Sequence, residues 1–189
     1  MILIESRHLN GAAVIVADAF TDDRGYFMEV FREDFCRTLG LPPAFVQENQ
    51  SGSKRKVLRG LHFQFDPPMG KLMRVTYGTA FLVAVDIRKG SPTLGKWIGL
   101  EVSAESRKQI WAPPGFARGF CALSEYCIVE YLCTGIYNPH GESGIRWDDP
   151  QIGIEWPVPD PILSEKDRKA QTLAEWLATP HSDHFRYAG

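Results

Sequence analysis

The stretch KLMRVTYGTAFLVAVDIRKG, residues 71 to 90, constrains the fold more than any other part of the chain. Its apolar, β-branched and aromatic residues fall into two runs separated by Gly78. In the second run Phe81, Val83, Val85 and Ile87 alternate with Ala80, Ala84, Asp86 and Arg88. A period of two sends successive side chains to opposite faces of a strand, so the pattern predicts two strands meeting in a hairpin at Gly78. The same texture extends from AAVIVA near the start to IVEYLCTG at 128–135, broken by turn clusters such as RKGSPTLG and WAPPG. Many short strands in one chain predict an all-β sandwich, jelly roll or small barrel.

A chain of 189 residues that is 44% hydrophobic can bury one sizeable core, so residues 1–189 are read as a single domain. Helical signals are few. REDFCRTLG, ended by Gly40, predicts a short helix, and SEKDRKAQTLAEWL predicts a longer one behind Ser164 as N-cap. Ala170, Leu173, Ala174 and Leu177 give that second segment its apolar stripe. Between the β-rich region and the second helix, WDDPQIGIEWPVPDPIL carries four prolines and reads as an extended, wrapping connection. The polar tail at 180–189 is expected to be mobile.

Lys and Arg (21) nearly balance Asp and Glu (23), so no overall positive field favours nucleic acid or an anionic membrane as partner. An anionic ligand would have to be held locally. The start, MILIESRHLNGAAVIV, lacks the basic-then-apolar layout of a secretory signal, and no apolar run is long enough to span a bilayer. Cys36, Cys121, Cys127 and Cys133 form no C-x-x-C pair and sit in apolar, strand-like stretches. A reduced, cytoplasmic protein is expected.

The stretch RGLHFQ, residues 59–64, poses the functional question. His62 could be a metal ligand, a catalytic base or a packed ring. Metal-binding β-barrels of the cupin type often use H-x-H on one strand, but here Gln64 takes the second position. The one close histidine pair, His181 and His184, lies in the tail with little scaffold around it, so no metal centre is expected. A packed ring is the usual fate of a lone histidine, yet Arg59, Gln64 and Lys71 make this neighbourhood unusually polar. In a regular strand Arg59 and His62 would point to opposite faces. If both line one pocket, Gly60 should mark a bulge or the true strand start.

Several blocks in order, DDRGYFMEVF, FVQENQS, VLRGLHFQ, GKLMRV, VAVDIRKGSPTLGKW, APPGFARGF, GESGIRWDDPQIGIEWP and LSEKD, cover nearly the whole chain. Together they resemble the dTDP-4-dehydrorhamnose 3,5-epimerases, which are cupin-like jelly rolls. The resemblance implies an isomerase that uses no metal and no cofactor, and whose substrate is a dTDP-4-keto-6-deoxy sugar. In such a sugar the protons at C3 and C5 both lie next to the C4 ketone, which serves as the electron sink when either is removed. Inverting a centre takes a base on one side of the ring, an acid on the other, and a cation or donor near O4.

By this resemblance His62 is the base, Asp167 the carboxylate that orients it, Tyr131 the opposing acid and Lys71 the cation near the keto oxygen. Taken alone, Asp167 three residues after Ser164 would be a helix-terminus carboxylate, Tyr131 a core or rim aromatic, and Lys71 a solvated surface residue. The resemblance further implies that Arg24 and Arg59 contact the diphosphate, that Tyr137 stacks on thymine, and that Lys166, Glu142, Glu29, Gln47 and Asn49 complete the binding site. Family dimers exchange N-terminal strands, so a homodimer with two sites is expected, some binding residues coming from the neighbouring subunit.

One departure stands out. Where the family commonly has G-F-A-H-G-F, this chain has GFARGF, which puts Arg118 in the pocket. Arginine is a permanent donor and cannot accept a proton. A mono-epimerase acting at C3 or C5 alone, a catalytically silent sugar-nucleotide binding module on the same fold, and a metal-dependent cupin are the alternatives.

Overall fold

The computed structural model describes residues 2–38, 40, 41 and 44–188. In chain order, β1 (Ile2–His8), β2 (Ala12–Ala17), β3 (Ala19–Asp22) and β4 (Gly25–Met28) lead to α1 (Glu33–Thr38). Then come β5 (Gln47–Lys54), β6 (Leu58–Gln64), β7 (Lys71–Tyr77), β8 (Thr79–Asp86), β9 (Trp97–Ser103) and β10 (Lys108–Ala112). β11 (Phe116–Ala122), β12 (Tyr126–Cys133) and β13 (Glu142–Gly144) precede α2 (Glu165–Arg168), α3 (Leu173–Ala178) and a 3-10 turn (Pro180–His184). The result is the all-β, cupin-like jelly roll of two antiparallel sheets: a six-stranded one ordered β1-β2-β10-β7-β12-β5 and a five-stranded one ordered β13-β6-β11-β8-β9.

The two sheets bury one core between them. Met73, Val75, Ile110 and Val129 of the six-stranded sheet meet Leu82, Ala84, Phe116 and Phe120 of the other. Each of these side chains except Ala84 contributes about 1.5–3 kcal/mol on burial. A second apolar layer lies outside the five-stranded sheet, where Phe63, Val83, Val85 and Ile87 are covered by Leu173, Trp176 and Phe185. α1 and β2 contribute to a third layer, outside the six-stranded sheet, in which Cys36 packs with Ile15, Leu72 and Trp111.

The hairpin expected at Gly78 does not form. β7 lies between β10 and β12, whereas β8 lies between β9 and β11 in the opposite sheet, so Gly78 is a corner where the chain changes sheets. Its φ of +71° favours glycine, and a Cβ there would come within 2.3 Å of both Ser124 Oγ and the Tyr126 carbonyl. Alternation along β8 identified its two faces correctly but carried no information on its pairing partner. Both faces are apolar because one fills the inter-sheet core and the other the outer layer.

The single C-terminal helix expected over 164–177 is two short helices. Between them the chain extends, Arg146 N–H donates to the Gln171 carbonyl at 2.8 Å, and Gln171 forms a parallel bridge with Ile145. Thr172 then restarts the helix through a capping box with Glu175. The buried stripe is Leu173 and Trp176 rather than the alanines, Ala174 being exposed.

The tail, expected to be loose, is packed through Tyr187. Phe185 is buried, Phe63 and Trp176 meet edge to face at 4.6 Å, and Lys89 pairs through its backbone with Phe185 and Tyr187. Two aromatic residues in a polar segment supply the anchorage. This matters for function because Phe63, clamped from outside, fixes which way its neighbour His62 faces.

Candidate active site

Strands β6 and β11 pair with one residue too many on β6. His62 opposes Arg118 and Arg59 opposes Phe120, leaving Gly60 and Leu61 against the single Gly119. This is a β-bulge, and it cancels the alternation that would separate Arg59 from His62. Both side chains therefore line one cavity, with Lys71, Met73, Arg118, Phe120 and Tyr131. Only glycine fits at position 60, where φ is +135° and a Cβ would approach Gly119 Cα to 2.6 Å.

His62 Nε2 lies 2.5 Å from Asp167 Oδ1. Asp167 is only 3% exposed. Burial pushes its pKa upward, but the bonds from His62, Ser164 and the Gly60 backbone outweigh it and hold the carboxyl below its usual value. The carboxylate is ionised at neutral pH, so Nε2–H is the donor and Nδ1 is left with a lone pair. Ser164 Oγ meanwhile accepts the Asp167 backbone N–H at 3.1 Å. The Asp167 backbone is thus capped at the helix terminus, while its carboxylate, expected from sequence alone to serve that terminus, is turned to His62 instead.

Lys71 on β7 and Tyr131 on β12 belong to the six-stranded sheet, His62 and Arg118 to the five-stranded one. The site is therefore a gap between sheets with the histidine on one wall and the tyrosine on the other. Lys71 Nζ sits 4.5 Å from the centre of the Tyr131 ring, a cation–π contact. Burial, followed by repulsion from Arg118, lowers the Lys71 pKa to about 8. Lys71 is not the solvated surface residue that its place beside Gly70 would suggest.

Arg118 is 4% exposed. Its Nη2 donates to the Met69 carbonyl, whereas Nε and Nη1 are buried without a hydrogen-bond partner among the described residues. Burial lowers its pKa to about 10, which leaves it cationic at any working pH.

A wider cavity of about 300 Å³ adjoins this gap and is lined by Gln47, Asn49, His62, Gln64, Met69, Lys71, Tyr131, Tyr137 and Glu142. Glu142 accepts from the Tyr137 hydroxyl at 2.8 Å and from Lys166 Nζ. Burial raises the Glu142 pKa, but these two donors outweigh it and the carboxylate stays ionised. Gln47 Oε1 accepts the Tyr137 backbone N–H at 2.8 Å, and Gln47 Nε2 donates to Asn49 at 3.0 Å. On the other side of His62, Arg59 and Lys166 line an open groove with Ser164 and Asp167. Arg59 is steadied by Ser53 Oγ at 3.0 Å and the Gly52 carbonyl at 3.2 Å.

Two expected binding residues are not brought to this site. Arg24 stands at the tip of the β3–β4 hairpin with its side chain 90% exposed, paired with Asp22. Glu29 pairs with Arg32 and lines none of the cavities that His62 lines.

Gln64 has a part that the sequence did not disclose. Its Nε2 donates to the carbonyls of Pro67 and Ile136 at 3.0 and 3.1 Å, and its Oε1 accepts from Asn138 N–H at 2.8 Å. It ties the strand of His62 to the loop that carries Tyr137. Its position two residues from His62, on the same strand, was the available signal. Among the described residues, no group of three His, Cys, Asp or Glu side chains is arranged to hold a metal ion, and no helix is long and apolar enough to cross a membrane.

Known proteins share this arrangement of strands. A family model described as dTDP-4-dehydrorhamnose 3,5-epimerase matches residues 6–175. The dTDP-4-dehydrorhamnose 3,5-epimerase of Methanothermobacter thermautotrophicus is 54% identical over 170 residues, 88% of this chain and 92% of that protein. The solved structure of dTDP-6-deoxy-D-glucose-3,5-epimerase RmlC from Legionella pneumophila, in complex with dTDP-4-keto-L-rhamnose, is 40% identical with a TM-score of 0.92 and covers 100% of both chains. That of ChmJ, a 3'-monoepimerase from Streptomyces bikiniensis in complex with dTDP-quinovose, is 34% identical with a TM-score of 0.82, covering 88% of this chain and 86% of that one. A histidine–carboxylate pair facing a tyrosine and a lysine across a jelly roll, and a sequence matched along most of its length, lead to one assignment: the chain belongs to the dTDP-4-dehydrorhamnose 3,5-epimerase family.

Proposed function

We propose that this protein is a cofactor-independent isomerase that inverts C3 and C5 of dTDP-4-dehydro-6-deoxyglucose to give dTDP-4-dehydrorhamnose. The observation that carries the reading is the His62–Asp167 pair on one sheet opposite Tyr131 and Lys71 on the other. His62, its Nε2–H held by Asp167, takes the proton from the carbon beside the ketone. Electrons move onto O4, where Lys71 stabilises the enolate. Tyr131 returns a proton from the opposite side, and the centre is inverted.

Arg59 and Lys166 suit the diphosphate, and Tyr137 offers a flat surface for thymine beside Gln47, Asn49 and Glu142. We further propose that the domain spans 1–189 and works as a homodimer in the cytoplasm. The β3–β4 hairpin supports the dimer: Phe20, Tyr26 and Phe27 on it are 68%, 62% and 71% exposed, an apolar arm that a second copy would cover. Arg24 and Glu29 would then reach the partner's site. Buried free cysteines are in keeping with a reducing compartment.

Incubation with dTDP-4-keto-6-deoxyglucose in D2O tests the reading. Deuterium at both C3 and C5, with inverted product, is the expected result. Deuterium at one carbon would replace it with the mono-epimerase reading, which the ChmJ likeness and Arg118 favour as second choice. No incorporation despite nucleotide binding would leave a silent binding module.

A further inference from the structure

The Arg118 guanidinium is buried, and among the described residues no carboxylate is bonded to it and two of its three nitrogens lack a partner. A buried cation left in that state costs several kcal/mol, so it is retained for something that the free protein lacks. Of the substrate's oxygens, those that carry or develop negative charge are the diphosphate's and the ketone's. Geometry separates them. Arg118 lines the narrow gap with His62, Tyr131, Lys71 and Arg59; of these, Arg59 and His62 also line the open groove beside Ser164 and Lys166, and Arg118 does not. A carbon that gives its proton to His62 has its carbonyl carbon one bond away, so the keto oxygen enters the same gap. A diphosphate there would displace the reacting carbons.

Resting on the reading above, we propose that Arg118 is the permanent cation that receives the negative charge developing on O4 of the sugar, leaving Lys71 as its titratable partner at the same oxygen. In that step the C3–H or C5–H bond breaks, its proton goes to His62 and its electron pair forms the carbon–carbon double bond of an enolate whose charge rests on O4. Arg118 donates hydrogen bonds and no proton leaves it. The lowered pKa of Lys71 has Arg118 among its causes, behind burial. Lys71 is also faced by Tyr131 and Cys133 from β12, Glu142 from β13, Lys166 from α2 and His62 from β6, which stay unchanged when Arg118 alone is replaced.

The test compares the wild type with Arg118→Gln and Arg118→Lys. It measures deuterium entry at C3 and C5 of dTDP-4-keto-6-deoxyglucose in D2O, affinity for dTDP alone, thermal melting, and kcat/KM against pH. Arg118→Gln should slow deuterium entry about 10²–10³-fold, as loss of one oxyanion donor does, with dTDP affinity within about twofold of wild type. Its alkaline limb in kcat/KM should move to higher pH because Lys71 no longer faces a like charge. A merely structural arginine would not produce a loss confined to exchange, with dTDP affinity and melting temperature both kept. Arg118→Lys should recover part of the rate and serves if the glutamine variant fails to fold. Weakened dTDP binding with unchanged exchange per bound complex would make Arg118 a phosphate ligand and overturn the proposal, as would unchanged exchange in both variants. If the wild type itself exchanges nothing, the epimerase reading falls and the proposal with it.

Discussion

Asp167 occupies the third position of a helix capped by Ser164, yet its carboxylate meets His62 Nε2 at 2.5 Å instead of turning back to the cap. One helix later, Glu175 at the equivalent position does turn back, and closes a capping box with Thr172. The two motifs read alike in sequence. What separates them is that His62 and the free Gly60 N–H of the bulge offer the Asp167 carboxylate a better set of donors.

His62→Ala should lower turnover about 10²–10⁴-fold while dTDP affinity stays near wild type, because the ring supplies a proton acceptor and not the nucleotide contacts. Steady-state rates alongside calorimetric titration with dTDP check this. A large loss of dTDP affinity with turnover per complex intact would instead make His62 a binding residue.

Asp167→Asn should lower kcat about 10²-fold or more, since the ring loses the carboxylate that accepts from Nε2–H and fixes its tautomer and orientation. Stability gives a second readout. The folded pKa of Asp167 lies below its unfolded value of about 3.9, so its contribution is complete above that pH and is lost as pH falls through the folded pKa. Urea midpoints between pH 3 and about 6 should therefore fall less steeply with acid in Asp167→Asn than in the wild type.

Lys71, with a pKa of about 8, should give the kcat/KM profile an alkaline limb near that pH, which Lys71→Met removes at the cost of rate. The sign for stability is opposite to the usual gain from a paired lysine. The unfolded chain holds the Lys71 proton up to about pH 10.4, so between about 8 and 10.4 it binds more protons than the native state and this residue's term raises stability with pH. Chemical unfolding of wild type and Lys71→Met across that interval isolates the term.

Gln64→Ala should raise KM more than it lowers kcat. It leaves the Pro67 and Ile136 carbonyls and the Asn138 N–H without their partner, at about 1–3 kcal/mol for each group that stays dry. The loop bearing Tyr137 loosens while His62 and Asp167 keep each other. Equal losses in kcat and kcat/KM, with KM unchanged, would show that the clamp serves the chemistry instead of the nucleotide.

The sequence was most informative where a local rule had a definite consequence. Arg59 and His62 could share a pocket only if Gly60 broke the alternation, and the bulge does so. It was least informative about pairing over distance. Alternation in β8 read the same whether its partner was β7 or β11, so the hairpin at Gly78 was the wrong inference from the right strands. The break after Arg168 was also hidden, since what splits the helix is a bridge to Ile145, far away in sequence. Asp167 lies 105 residues from His62, and every local signal there favours a plain helix terminus. Only the match of whole blocks to a family pointed to the contact that the folded chain makes.

The packing of residues 165–187 onto the sheets has a consequence for the order in which the site is assembled. His62 has no carboxylate until residue 167 has been made, and the outer face of its strand is bare until Trp176 and Phe185 follow and close over Phe63. The pocket walls on β6, β7, β11 and β12 are thus made before the pieces that complete them, and under the proposed mechanism the histidine gains its partner and its outer cover only once residues 167–185 have been added.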